Sequence, residues 1–146
     1  MSKEPILKLV ILGEVQSQLR PIISTVGTGG KKAVAIDPPK CREYKKKVAE
    51  TAKNYYKGKP LDEPLRVEVD VYRSIPKSWS KKKRQDAISG LIYPVSKPDT
   101  ENLSKGICDG ISGIVWRDDS IIVEHEIKKY YSEVPRAEVR VYKIND

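Results

Sequence analysis

Residues 65–73, LRVEVDVYR, alternate without a break: Leu65, Val67, Val69 and Val71 fall on one side, and Arg66, Glu68, Asp70 and Tyr72 on the other. Successive side chains of an extended chain point to opposite faces, so the pattern describes a half-buried strand. A slip of one residue would exchange the two faces, and the register is therefore well specified. Such a strand needs an apolar layer laid against it. From Pro38 and Pro39 onward, Cys41, Tyr44, Val48, Ala52 and Tyr55 recur at three- and four-residue spacing, which predicts an amphipathic helix with Gly58 as its C-cap. The triple lysine 45–47 falls mainly on the exposed side of that helix.

The remaining elements follow from local signals. The segment 6–15, ILKLVILGEV, is apolar and β-branched, and GTGG (27–30) is a turn signal between PIISTV and AVAI (33–36), so a strand followed by a hairpin is expected. Ser80 is placed to cap a short helix running through Ile88 and ending at Gly90, and the two prolines of LIYPVSKP make 91–98 an irregular linker. Leu103, Ile107 and Ile111 lie at i, i+4 and i+8, which predicts a helix over about 100–111 with Asp99 as its N-cap. Two strands close the chain, 120–131 and 137–144, joined by SEVPR. In the first of them Val123, His125 and Ile127 alternate against Glu124, Glu126 and Lys128, and the strand is expected to return antiparallel beside its neighbours. Together these elements predict an α+β fold, a mixed β-sheet with two main helices packed on one face, in a single domain over residues 1–146.

Charge narrows the function classes. The chain carries a formal charge of +8, with like charges gathered in SWSKKKR (78–84), CREYKKKVAE (41–50) and GTGGKK (27–32). Each phosphate neutralised by Lys or Arg releases condensed counterions, so a nucleic-acid partner is favoured over lysines that only solvate the surface. The longest apolar run near the N-terminus, ILKLVIL, is interrupted by Lys8 and is far shorter than the roughly 20 residues that span a bilayer, which points to a cytoplasmic protein with no membrane partner. Cys41 and Cys108 lack metal-type spacing and are expected to remain thiols.

Against this basic background the acids of KPDTENLSKGICDGISGIVWRDDS (97–120) stand out. Asp99 and Glu101 bracket a helix start, and Asp118 and Asp119 sit just before a strand. At about 100° per residue Glu101, Lys105 and Asp109 share an arc opposite the apolar stripe, an arrangement that an ordinary solvated helix face also produces. Should strand and helix bring the acids together, oxygen-only ligands would select a hard cation, Mg²⁺ or Mn²⁺, and Lys105 would offer positive charge to the same phosphate. Zinc has little support from a single histidine, and His125 reads as a strand residue rather than a ligand or base. Trp116 reads as core packing beside Ile114 rather than as a base-stacking wedge.

The string K-P-D-T-E-N-L-x-K-x-x-x-D-G-I-x-G-x-x-W-x-D-D-S, from Lys97 to Ser120, resembles the signature of the RusA family of Holliday junction resolvases, endodeoxyribonucleases common in phages and prophages. The likeness takes in PKSWSKKKR and the closing strands, and so spans at least residues 65–143. It implies a RusA-like fold and a homodimer that resolves four-way DNA junctions by paired symmetric nicks. It further implies that Asp99, Glu101 and Asp119 bind a catalytic Mg²⁺, for which Mn²⁺ can substitute, and that Lys105 assists at the phosphate. Asp118 is the weaker of the adjacent acids. Glu101 stands where the family usually has Asp, and Ile121 replaces a frequent Gln. A DNA-binding role falls to Lys81, Lys82, Lys83, Arg84, Lys31 and Lys32, each equally compatible with simple solvation. Two alternatives stay open: a catalytically silent DNA-binding protein of the same fold, and a nuclease for flaps or forks.

Overall fold

In the computed structural model, which describes residues 4–145 apart from Val26, Thr28 and Lys31, the chain runs β1 (Leu7–Leu12), β2 (Ile22–Ser24), β3 (Val34–Ile36), α1 (Pro39–Tyr55), β4 (Leu65–Ser74), α2 (Lys81–Ile88), α3 (Thr100–Ile111), a 3₁₀ turn (Asp119–Ile121), β5 (Ile122–Ser132) and β6 (Arg136–Lys143). The alternating segment is an inner strand of a four-stranded sheet ordered β1-β6-β4-β5, and the 22–36 hairpin forms a separate two-stranded sheet. Leu65, Val67, Val69 and Val71 are fully buried, joined by Leu9 and Ile11 of β1 and by Ala137, Val139 and Val141 of β6. Helices α1 and α3 cover this apolar face and pack on each other. The fold is α+β with a mixed sheet and its two longer helices on one side, as the sequence predicts.

Polar positions fill the opposite face as a ladder of ion pairs. Glu68 accepts from Arg66, Arg140 and Tyr142, and Arg140 also reaches Asp70 at 2.9 Å. Burial works to raise the Glu68 carboxyl, but these three donors outweigh it and hold the group at about 2. The charges of β4 are thus satisfied across β6 and β5 rather than left to solvent.

The strand after Asp119 does not return antiparallel. β5 pairs parallel with β4 at the sheet edge, and the connection between them carries α2 and α3. A parallel neighbour needs such a crossover, and the two helices between the strands supply it. The ladder slips between Leu65 and Arg66: Ile122 lies opposite Leu65, His125 opposite Val67, and exposed Val123 is the extra residue. Residues side by side in a parallel ladder share a face, so Ile122, His125 and Ile127 turn toward the helices while Glu124 and Glu126 turn toward Arg66.

Boundaries move for local reasons. β1 stops at Leu12 because Gly13 takes φ +98°, and α1 ends at Tyr56, whose extended backbone replaces the expected glycine cap at Gly58. Ser80 and Asp99 do cap: each accepts from the backbone three residues on, Lys83 N and Asn102 N. Helix α3 approaches α1 closely at Gly110, where a Cβ would lie 2.7 Å from Val48 Cβ and 2.8 Å from Lys45 O. That contact lets Lys45 of α1 bridge Asp37 and Asp109, fixing the register of α3 along α1.

Candidate active site

Helix α3 presents two faces. Leu103, Ile107 and Ile111 are fully buried against the sheet, which leaves Glu101, Lys105 and Asp109 on the outer arc the periodicity predicts. Across from them the 3₁₀ turn and the first residues of β5 bring Asp119, Ile122 and His125. Between the two lies an open cavity of about 290 Å³, lined by Glu101, Ser104, Lys105, Cys108, Asp109, Asp119, Ile122 and His125. Glu101, Lys105 and Asp119, separated by up to eighteen positions in sequence, thus share one cavity.

Asp119 is the anchored member. Its Oδ1 accepts a 2.7 Å hydrogen bond from Nε1 of Trp116, a fully buried side chain. Burial pushes the Asp119 carboxyl above its usual range, the Trp116 bond opposes this, and the negative charges of Asp109 and Asp118 add to the rise. A half-buried carboxylate crowded by like charges is a site that a cation would relieve. His125 feels the converse: burial lowers its pKa, and the Asp119 charge pulls it back. The Cys108 thiol lies 3.9 Å from His125 and is pushed up to about 12 by burial and by Asp119 and Asp109, so it is neutral and no nucleophile.

The other sequence-predicted residues are placed as follows. Asp99, exposed at the start of α3, spends Oδ1 on the Asn102 backbone at 2.8 Å and lines a different cavity, of about 600 Å³, with Ser17, Lys97, Pro98 and Asn102. Asp118 is exposed and caps the 3₁₀ turn by accepting from Ser120 N at 3.0 Å, and it does not line the cavity that Asp119 enters. Lys105 is 59% exposed and pairs loosely with Asp109 at 3.9 Å. Among the described residues, no three His, Cys, Asp or Glu side chains are gathered closely enough to hold a metal as they stand. The donor chemistry nonetheless fits a hard divalent cation: Asp119 and Asp99 each keep one carboxylate oxygen outside the hydrogen bonds described, and Glu101 faces the same cavity as Asp119.

Besides Glu101, Lys105 and Asp119, five residues line the cavity that spacing alone does not single out as a site: Ser104, whose hydroxyl donates to Glu101 O at 3.1 Å, Cys108, Asp109, Ile122 and His125. The signal for His125 lies in the ladder: opposite Val67, it must face α3.

The basic candidates gather mainly on α2, which leans on β5. Lys81, Lys82 and Lys83 are exposed, with Lys82 3.8 Å from Asp86 and Lys83 Nζ 4.1 Å from the Trp79 ring centroid. Arg84 is half-buried and donates to Pro76 O, so it braces the turn before α2. Lys32 is exposed in the loop before β3, and Lys31 lies outside the described residues. No helix among the described residues is long and apolar enough to cross a membrane.

Residues 13–142 match the family model described as endodeoxyribonuclease RusA. The chain is also 36% identical over 141 residues to a Bacillus subtilis (strain 168) protein described as uncharacterized protein YqaN, a match covering 95% of this chain and 97% of that one. With its signature acids and lysine set around the start of α3 and the turn before β5, the chain belongs to the RusA family of endodeoxyribonucleases.

Proposed function

We propose that the protein is a Mg²⁺-dependent endonuclease of branched DNA that resolves four-way junctions as a homodimer by paired symmetric nicks. The observation that carries this reading is the single cavity shared by Glu101, Lys105 and Asp119, beside Asp99 at the N-terminus of α3. Asp99, Glu101 and Asp119 would hold the cation, with Mn²⁺ able to replace Mg²⁺. When bound, the cation supplies positive charge to the phosphodiester and lowers the pKa of water. Lys105, exposed and only loosely paired, moves its ammonium onto a phosphate oxygen as charge develops there. Asp109 sets the resting position of Lys105 and is itself tied to α1 through Lys45. A two-fold dimer suits a substrate with approximate two-fold symmetry, each protomer addressing one of two opposing strands.

The test is nicking of a synthetic four-way junction with and without Mg²⁺, beside fork, flap and linear duplex at matched salt. Paired nicks confined to the junction and requiring Mg²⁺ support the proposal. Preference for forks or flaps would move the substrate class. Asp99→Asn and Asp119→Asn should each abolish nicking and leave junction binding unchanged or tighter, because a negative charge facing phosphate is lost. A second reading, a silent DNA-binding protein, is favoured by the longer Glu101 and by carboxylates that, among the described residues, are not already gathered for a metal. Binding without nicking would establish it.

A further inference from the structure

The Trp116 indole is the largest fully buried side chain of the molecule, yet it has one polar atom, and that atom points at the site. Its backbone is fixed from two sides. The residues flanking it bond Leu61 through Leu61 N to Val115 O at 2.7 Å and Arg117 N to Leu61 O at 2.8 Å, and its own carbonyl accepts from Gly113 N at 2.7 Å. The ring is packed among the apolar cluster that joins the sheet to α1 and α3. Nothing about this ring can adjust cheaply, because a close-packed core offers it no second position. The hydrogen bond it gives to Asp119 is therefore a fixed point against which an otherwise half-exposed carboxylate is set.

Resting on the nuclease reading above, we infer that Trp116 is a positioning residue: its Nε1–H holds Oδ1 of Asp119 so that Oδ2 is presented to the divalent cation. A donor on one oxygen fixes the carboxylate's rotation about its own axis, and it also removes the choice between the two oxygens. Losing a partner of a ligating carboxylate typically costs about tenfold to a hundredfold in affinity for the ion or in activity. Core packing alone would not require the ring to be an indole. Phenylalanine would fill most of the same space and leave Asp119 free to turn.

Two measurements test this. In Trp116→Phe, the Mg²⁺ concentration giving half-maximal junction nicking should rise about tenfold to a hundredfold, while the rate at saturating Mg²⁺ returns to within about threefold of the unmodified protein. A lowered plateau at an unchanged midpoint would mean that the ring matters only for packing, and would overturn the inference. The second measurement needs no change at position 116. In Trp79→Phe, Trp116 is the only indole, and Mn²⁺ added without DNA should quench its emission with the midpoint at which Mn²⁺ supports nicking. Asp119→Asn in that background should abolish the quench. Emission indifferent to Mn²⁺ at concentrations that support nicking would overturn the inference while sparing the nuclease reading. Absence of nicking in the unmodified protein, with no Mg²⁺ binding by calorimetry, would overturn both.

Discussion

At position 101 the resemblance to the family leads one to expect Asp, and the chain carries Glu, one methylene longer. Glu101 stands in the first turn of α3 on the outer arc and lines the same cavity as Asp119. Replacing it by Asp keeps the charge and withdraws the oxygens by about the length of one carbon–carbon bond. If the family's shorter acid suits the cation better, Glu101→Asp keeps or raises the Mg²⁺-dependent nicking rate. A dead Glu101→Asp protein would show that this chain is built around the longer acid, and the comparison needs only initial rates at several Mg²⁺ concentrations. At this scale much could be read directly from sequence. Proline followed by Asp99 and an apolar i, i+4, i+8 run is a cap signal with a mechanism, and the cap is made. The bond from Trp116 to Asp119 was not legible, because tertiary packing and not sequence spacing decides where a core indole points its N–H.

Among the elements, β5 departs from the antiparallel return expected of it, and the reason is physical. Alternation specifies which residues share a face but says nothing of strand direction, and a short turn at 132–136 linking the last two strands is compatible with an antiparallel return. The hairpin between β5 and β6 is absent from the sheet because β4 lies between them, and β5 is left parallel to β4 at the edge. The α1–α3 crossing, by contrast, is written in Gly110, although only the fold brings Val48 beside it. A methyl group there would meet Val48 and the Lys45 carbonyl, neither of which is a flexible side-chain end. Gly110→Ala should therefore cost about 1–3 kcal/mol and lower Tm by several degrees, in spite of alanine's better helix propensity. A Tm unchanged or raised on calorimetry would mean that the helices separate without penalty. The far side of the sheet makes a separate prediction. Glu68 is held at about 2 in the fold against a reference value of 4.5, so its contribution is complete above the reference value and is lost as pH falls through the folded one. Its share is at most about 3 kcal/mol, since its arginine partners are partly solvated. Denaturant unfolding measured between pH 5 and about 2 should show this decline, and Glu68→Gln should flatten it.

The molecule as a whole carries +8, but its cations are not equally available to a polyanion. Arg66, Arg136 and Arg140 are tied to carboxylates on the far face of the sheet, and Lys45 bridges Asp37 and Asp109 between helices. The lysines of α2 are different. They project from a short helix whose one buried residue is Ala87, so their charge does nothing for the core and costs self-repulsion while no anion is present. The helix is held to β5 through Trp79, whose ring meets Tyr131 edge-on at 5.1 Å between centroids. The lysines are therefore mounted beside β5, the strand that follows the Asp119 turn, near its far end at Tyr131. Replacing Lys81, Lys82 and Lys83 by Ala should weaken junction binding and reduce the slope of log K against log salt by about 2 to 3, near the lower figure because Lys82 already has Asp86 within reach. Nicking at saturating protein and Mg²⁺ should fall much less than binding, since none of the three lines the cavity of Glu101 and Asp119. A triple variant whose salt slope matches the unmodified protein would assign these lysines to surface solvation and leave the phosphate contacts to other parts of the basic surface.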